Sequence, residues 1–283
     1  MKKISIIISI IFITFIATSC SNDDVEFDNN NCLVDYDGTE FLRCDLDLST
    51  YFDTSITLTL YIEPDIDSEP IFAEVENIIA LYHILSDKYN TYEGYVNVKT
   101  INDNPTETHE LSDELYNMIK YSLDNQDVVD NLFNIALNPV LKVWSSYREE
   151  CDYSPLFNSG TGDCNIPTIQ ELNIADTYTD PSGITLDESL QTITLLQGMS
   201  IDLGGMSKGY MSLVVVEYLD SLGIRSYLFN AGTSNVEIGG IHPTRDSGKF
   251  LVAVTNPSQT NTYYATVYLS DGESIVTSGD YQR

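Results

Sequence analysis

The sequence predicts an α+β (mixed α/β) fold, a single domain of mixed sheets with flanking helices. Three observations carry this. Short stretches alternate apolar and polar residues with the two-residue period of a strand. Between them lie stretches whose apolar residues recur every three or four positions, as on one face of a helix. No internal repeat and no second linker divides the 283 residues. At 42% hydrophobic and 11% aromatic, the chain has ample material for a packed core, which excludes wholesale disorder.

The first segment reads as an address. Lys2 and Lys3 precede the apolar run Ile4 to Ile16, followed by Ala17-Thr18-Ser19-Cys20. That is a charged n-region, a short h-region and small residues at a cleavage point. The run is too short to cross roughly 30 Å of hydrocarbon as a permanent span. A Cys directly after the small residues resembles a bacterial lipobox, so residues 1–19 are expected to be a lipoprotein signal peptide and Cys20 the lipidated residue. An ordinary secretion signal is the alternative. The mature protein is expected on the extracytoplasmic face of the cell membrane, held by its lipid anchor.

Residues 20–50, rich in Asp, Asn and Ser, read as an acidic tether, with the domain proper spanning 51–283. Ile56, Leu58, Leu60 and Ile62 alternate with Thr57, Thr59 and Tyr61 as a half-buried strand. Pro70 opens a helix whose apolar face is Val75, Ile78, Ile79, Tyr82 and Leu85. A second helix starts near Ser112, with Asp113 and Glu114 in its first turn. Residues 133–137 read as a short strand, and Pro139 opens a short helix ending near Trp144. Turn residues fill 147–183, with one small helix around 168–173. Strands follow at 192–196 and 200–203, a helix at 206–222, and strands at 224–229, 235–239, 249–255, 263–269 and 273–277.

The charge balance excludes whole classes of function. Thirteen Lys+Arg stand against 43 Asp+Glu, a formal net charge of -30. A phosphate backbone needs cations, so nucleic acid is not a partner, and a polybasic grip on anionic lipid is equally disfavoured. A phosphorylated ligand needs a local cation or a metal ion. Cys32, Cys44, Cys151 and Cys164 remain after Cys20, an even number in an oxidising setting. Pairs 32/44 and 151/164 are the simplest pattern, although four cysteines allow three connectivities. With no C-x-x-C and only His83, His109 and His242 as partners, a zinc site is disfavoured.

The densest chemical signal is Ile201-Asp202-Leu203-Gly204-Gly205-Met206-Ser207-Lys208-Gly209-Tyr210. A strand runs into a glycine pair and then into a helix. Glycines let a ligand approach the backbone, the helix N-terminus offers N–H groups to an anion, and Lys208 adds a charge. The spacing is neither that of a P-loop nor that of a dinucleotide fingerprint, and by itself such a segment is more often a turn than a site. Three more segments accompany it: Asn230-Ala231-Gly232-Thr233-Ser234-Asn235, Thr277-Ser278-Gly279-Asp280-Tyr281, and Asn138-Pro139 followed by Trp144. Alone, Trp144 reads more often as core than as a cofactor platform, Asp202 as a turn cap, and His242 as a loop histidine.

In this order the segments resemble the ApbE family, the FAD:protein FMN transferases, over roughly Thr54 to Arg283. Asp87-Lys88-Tyr89 and Ile101-Asn102 are similar to the family's N-terminal flavin-contacting region. The resemblance implies Mg²⁺-dependent transfer of FMN from FAD to a Ser or Thr hydroxyl of an acceptor flavoprotein, with release of AMP. It places Tyr89, Trp144, Ser145, Ser146, Asp202, Lys208, Thr233 and Thr277 at the FAD site and makes the carbonyl of Gly205 a Mg²⁺ ligand. Ser145 and Ser146 depart from the Gly-Phe more usual after the Trp. The family pattern continues past Thr-Ser-Gly-Asp-Tyr with a His-containing segment and a helix bearing Asp and Thr metal ligands. For the sequence as given, which stops at Arg283, the expectation is an incomplete metal site, weak or absent transfer, and no assignable catalytic residue. An FAD pyrophosphatase and a non-catalytic flavin-binding lipoprotein are the alternatives.

Overall fold

A computed structural model describes residues 32–33, 40–126, 128, 130, 132–150, 165–232, 235–256 and 262–278. The segment expected to be a signal peptide, the expected lipidation residue Cys20, Thr233, Cys151 and Cys164 lie outside the described residues.

The main sheet has five antiparallel strands in the order β1-β2-β6-β7-β10, formed by Leu42–Leu48, Ile56–Ile62, Tyr227–Ala231, Asn235–Gly239 and Ser274–Val276. A small sheet joins β3 (His109–Glu110), β5 (Thr192–Leu195) and β4 (Ile184–Asp187), and β8 (Phe250–Thr255) pairs with β9 (Tyr263–Leu269) as a hairpin. The helices are α1 (Ser68–Ser86), α2 (Val98–Asp103), α3 (Asp113–Asp124), α4 (Asn138–Glu150), α5 (Ile169–Asp176) and α6 (Ser207–Ser221).

Strand alternation divides the main sheet into two covered faces. Ile56, Leu58, Leu60, Tyr227 and Phe229 point to one side and join Val75 and Ile79 of α1 and Met211 and Val215 of α6 in the principal core. Tyr61, Leu228, Val236 and Ile238 point to the other and meet Phe250 and Leu269 of the hairpin. Fully burying side chains of this size is worth about 1.5–3 kcal/mol each before entropy is charged, so this two-sided sheet is the rigid frame. His242 leaves β7 in a loop, as expected, yet it is buried, with its ring 5.2 Å from those of Tyr61 and Phe250.

Several elements depart from the sequence reading. The tether expected over 20–50 ends earlier, because Leu42–Leu48 pairs along its length with β2. Its acids lie on the polar face, where Asp45 accepts from Thr59 Oγ1 at 2.6 Å and Asp47 from Ser55 Oγ at 3.3 Å. Cys32 and Cys44, both buried, form the expected disulfide, closing the loop between them. The strand expected at 133–137 is instead a 3-10 turn over Ile135–Leu137, because the Asn134 side chain accepts from Ala136 N and bends the chain. The helix after Pro139 runs past Trp144 to Glu150. Residues 200–203 join no ladder, since the Asn102 side chain and the 3-10 turn at Ile135 take their backbone groups.

Candidate functional site

Residues 200–209 form a turn built from outside. Asn102 clamps Ile201 on both sides, accepting from its N–H at 2.7 Å and donating to its carbonyl at 2.8 Å. Asp202 N–H donates to Ile135 O at 2.8 Å. The chain then turns at Gly204, whose N–H donates to Asp202 Oδ1 at 2.7 Å. A Cβ at Gly204 would stand 2.9 Å from that same oxygen, so a side chain there would crowd the carboxylate. Helix α6 follows with no side-chain cap at its N-terminus. Its first-turn N–H groups and the positive end of its dipole face this turn.

The other oxygen of Asp202 accepts from Lys88 Nζ at 2.6 Å. Both partners are mostly buried, at 18% and 14% side-chain exposure, which screens the pair little. Lys88 also reaches Asn138 Oδ1 at 3.5 Å, and Asn138 Nδ2 donates to Ser200 Oγ at 3.0 Å. The 87–92 turn that carries Lys88 is set by Asp87. Its carboxylate accepts from Tyr89 N–H at 2.6 Å, Asn90 N–H at 3.2 Å, Asn90 Nδ2 at 2.9 Å and the Tyr92 hydroxyl at 2.8 Å. Burial works to raise the Asp87 pKa, but the donors from Asn90, Tyr89 and Tyr92 outweigh it and hold the carboxyl below its ordinary range.

A second set of motif residues meets the same helix. A Cβ on Gly209 would lie 3.3 Å from Asn235 Nδ2, so the start of α6 rests against the start of β7. Asn235 pairs in turn with Val276 of β10, and Thr277 is the next residue. The motif segments at 87–89, 138, 202–209, 235 and 277 are thus linked by direct contact or by ladder.

The expected site residues fare differently. Asp202 sits at the centre, Lys208 is the second residue of α6, and Thr277 adjoins β10. Tyr89 is 66% exposed, and Lys88 Nζ lies 5.2 Å from its ring centroid, leaving a broad aromatic face beside the cation. On α4, helical spacing puts Asn138, Lys142 and Ser145 on one face, while Trp144 lies about 200° round from Lys142. Trp144 is 46% exposed and stands one turn before Tyr147, whose hydroxyl donates to Glu171 of α5 at 2.9 Å. Ser145 therefore shares the Lys88 side of α4 and Trp144 does not. Ser146 Oγ donates to Val143 O at 2.8 Å.

Sequence reasoning quoted Asn138 and Lys88 within motif segments without giving either a role, and passed over Ser200 and Lys142. The available signal was scarcity, since cations are few in so acidic a chain. The Lys142 ammonium is pushed below the ordinary lysine range by burial first, then by the charges of Lys88 and Lys99, with Asp103 opposing.

The donors at this turn do not fit Mg²⁺. That ion takes near-octahedral oxygen coordination. Among the described residues the turn offers the Gly205 carbonyl and one carboxylate, Asp202, already engaged by Lys88 and Gly204 N–H. No group of three or more His, Cys, Asp or Glu among the described residues could hold a metal ion.

Known proteins share this architecture. The ApbE protein of Thermotoga maritima superposes with a TM-score of 0.67 at 22% identity, over 85% of this chain and 72% of that one. The flavin transferase ApbE of Vibrio cholerae gives 0.61 at 18% identity, over 85% and 73%. At these identities the likeness shows the fold. In sequence, the FAD:protein FMN transferase of Klebsiella pneumoniae (strain 342) is 26% identical over 174 residues, 61% of this chain and 48% of that protein. The FAD:protein FMN transferase of Vibrio cholerae (strain O395) is 21% identical over 218 residues, 77% of this chain and 60% of that protein. The chain thus spans about half to three fifths of the length of these relatives. The profile of the ApbE family matches residues 52–283, most of the sequence, and the chain belongs to that family.

Proposed function

We propose that this protein binds FAD at the 202–209 turn and transfers its FMN half to a Ser or Thr hydroxyl of an acceptor flavoprotein, releasing AMP. The observation that carries the reading is the Lys88–Asp202 pair set against an uncapped helix start. In a chain of net charge -30, this is where a pyrophosphate meets a partly buried cation and a helix N-terminus together. In the reaction, the acceptor oxygen forms a bond to the FMN phosphorus and the bridging P–O bond breaks. The bridging oxygen leaves with AMP, and the hydroxyl proton passes to solvent or a base. The chain's part is to position and neutralise, which is most of what phosphoryl transfer asks of a protein. Tyr89 offers the isoalloxazine a face to stack on, and Ser145 a hydroxyl on the same side of α4. A Mg²⁺ ion at the Gly205 carbonyl would need oxygen ligands from outside the described residues.

The n-region, apolar run and Cys20 support a lipid-anchored, extracytoplasmic setting, in which the acceptor would be a membrane or exported flavoprotein. The test is to incubate the protein with FAD, with and without a purified flavoprotein domain carrying a Ser/Thr attachment site. AMP release and in-gel flavin fluorescence of the acceptor are then followed. Both signals are expected to require the acceptor. AMP release that ignores the acceptor would reassign the protein as an FAD pyrophosphatase, and tight binding without release would make it a flavin carrier.

A further inference from the structure

Lys88 carries an inference that rests on reading FAD as the substrate. An ammonium group has three N–H donors. One goes to Asp202 Oδ2 at 2.6 Å, and another is directed at Asn138 Oδ1 at 3.5 Å, the limit of a hydrogen bond. No further acceptor among the described residues takes the third. Asp202 is held in turn by Gly204 N–H, so the ammonium is fixed in place against the glycine turn. The Tyr89 ring lies on the same cation's flank, 5.2 Å from centroid to Nζ.

We infer that Lys88 is a pyrophosphate-contacting residue, its open N–H donated to a phosphate oxygen of FAD while Asp202 keeps the ammonium aimed at the turn. A carboxylate already neutralised by a lysine is a poor metal ligand, and the same lysine supplies the positive charge the phosphates need. Binding of the pyrophosphate at this turn is thus carried by a side-chain cation of the chain, and FAD affinity does not depend on added Mg²⁺. Flavin recognition lies with other residues, so the contribution of Lys88 is confined to ligands that carry phosphate.

Titration of the full chain by flavin fluorescence tests this, with FAD and with riboflavin, in EDTA and in Mg²⁺. Lys88→Gln should weaken FAD binding by about tenfold or more in EDTA and leave riboflavin unchanged. Lys88→Arg should restore most of the loss. Because Lys88→Gln strands a mostly buried carboxylate, the double variant Lys88→Gln/Asp202→Asn is the second probe, and it should show the same FAD-specific loss. Wild-type FAD affinity in the variants overturns the inference. So does an equal loss for FAD and riboflavin, or wild-type FAD binding that appears only with Mg²⁺. Wild-type protein that binds no FAD in either buffer overturns the substrate reading, and this inference with it. Wild-type binding in EDTA matched by the variants overturns this inference alone.

Discussion

The turn at 87–92 and the turn at 200–205 meet through Lys88 and Asp202, and they are held over very different spans of sequence. The first is closed by near neighbours: a single carboxylate, Asp87, takes four donors that all lie within five positions of it, and Asn97 Nδ2 and Lys99 N–H hold the Asn90 and Asp87 carbonyls from just downstream. The second bends on local bonds, Gly204 N–H to Asp202 and Met206 N–H to Leu203 O, but is anchored by distant residues. Asn102 grips Ile201 across 99 residues, Lys88 reaches Asp202 across 114, and the 3-10 turn at Ile135 supplies a carbonyl. A locally closed turn keeps its shape when its surroundings loosen. A turn held from outside is only as well placed as the fold that delivers its partners, and its partners are where a site can be tuned.

The sharpest way to break this contrast is at Asn102. Ile201 is fully buried, so Asn102→Ala leaves an N–H and a carbonyl there without their partners. Orphaned buried groups cost about 1–3 kcal/mol each, which puts the expected loss near 3 kcal/mol by urea denaturation. A loss under about 1 kcal/mol would mean that water or a backbone shift satisfies Ile201, and the turn would not be held from outside as described.

A smaller effect belongs to the locally closed turn. Asp87→Ala removes four hydrogen bonds, but water can reach this turn and replace them, so about 1 kcal/mol is expected. The pH dependence separates the two turns. The Asp87 carboxyl sits below its ordinary value of 3.8, so its contribution is fully present above that pH. It is lost as pH falls through the lower folded value. The stability gap between wild type and variant should therefore close on acidification, whereas the Asn102 gap should not. A gap that stays constant through the acid limb would show that the Asp87 carboxylate has no special partners.

The same distinction decides what could be read from the sequence. The β2 strand, α1 from its Val75–Ile79–Tyr82 face, and α3 from Ser112 are local patterns, and they are found where the residues place them. The glycine turn before α6 was legible because a glycine pair and the helix start that follows it are also local. Leu42–Leu48 alternates too, but with Arg43, Asp45 and Asp47 between its apolar residues it looked like solvated chain. Its acids are in fact the polar face of an edge strand, hydrogen-bonded to Thr59 and Ser55. The strand expected at 200–203 failed for the complementary reason: its apolar residues are buried, but Asn102 and Ile135 own its backbone groups. Lys88 meeting Asp202 is a tertiary event 114 residues long, and no spacing rule announces it.

The smallest expected effect tests how the cations gather on the α4 side of the site. Lys142 stands four residues after Asn138 and shares its helix face, where partial burial of its ammonium first, and then the charges of Lys88 and Lys99, disfavour its charged form. Its folded pKa lies below the unfolded value near 10.5, so the folded state holds that proton less tightly. A charged Lys142 therefore costs stability at neutral pH, and the cost fades as pH rises through the folded value toward 10.5. Lys142 is exposed along much of its length, which screens the repulsion, so Lys142→Gln should gain only about a few tenths of a kcal/mol at pH 7. Added inorganic pyrophosphate should raise the Tm of the wild type more than that of the variant, because an anion among the lysines relieves a repulsion that the variant no longer has. A variant that melts lower than the wild type at pH 7 would show that Lys142 is held by a partner of opposite charge, and the cationic side of the turn would then reduce to Lys88 and Lys208.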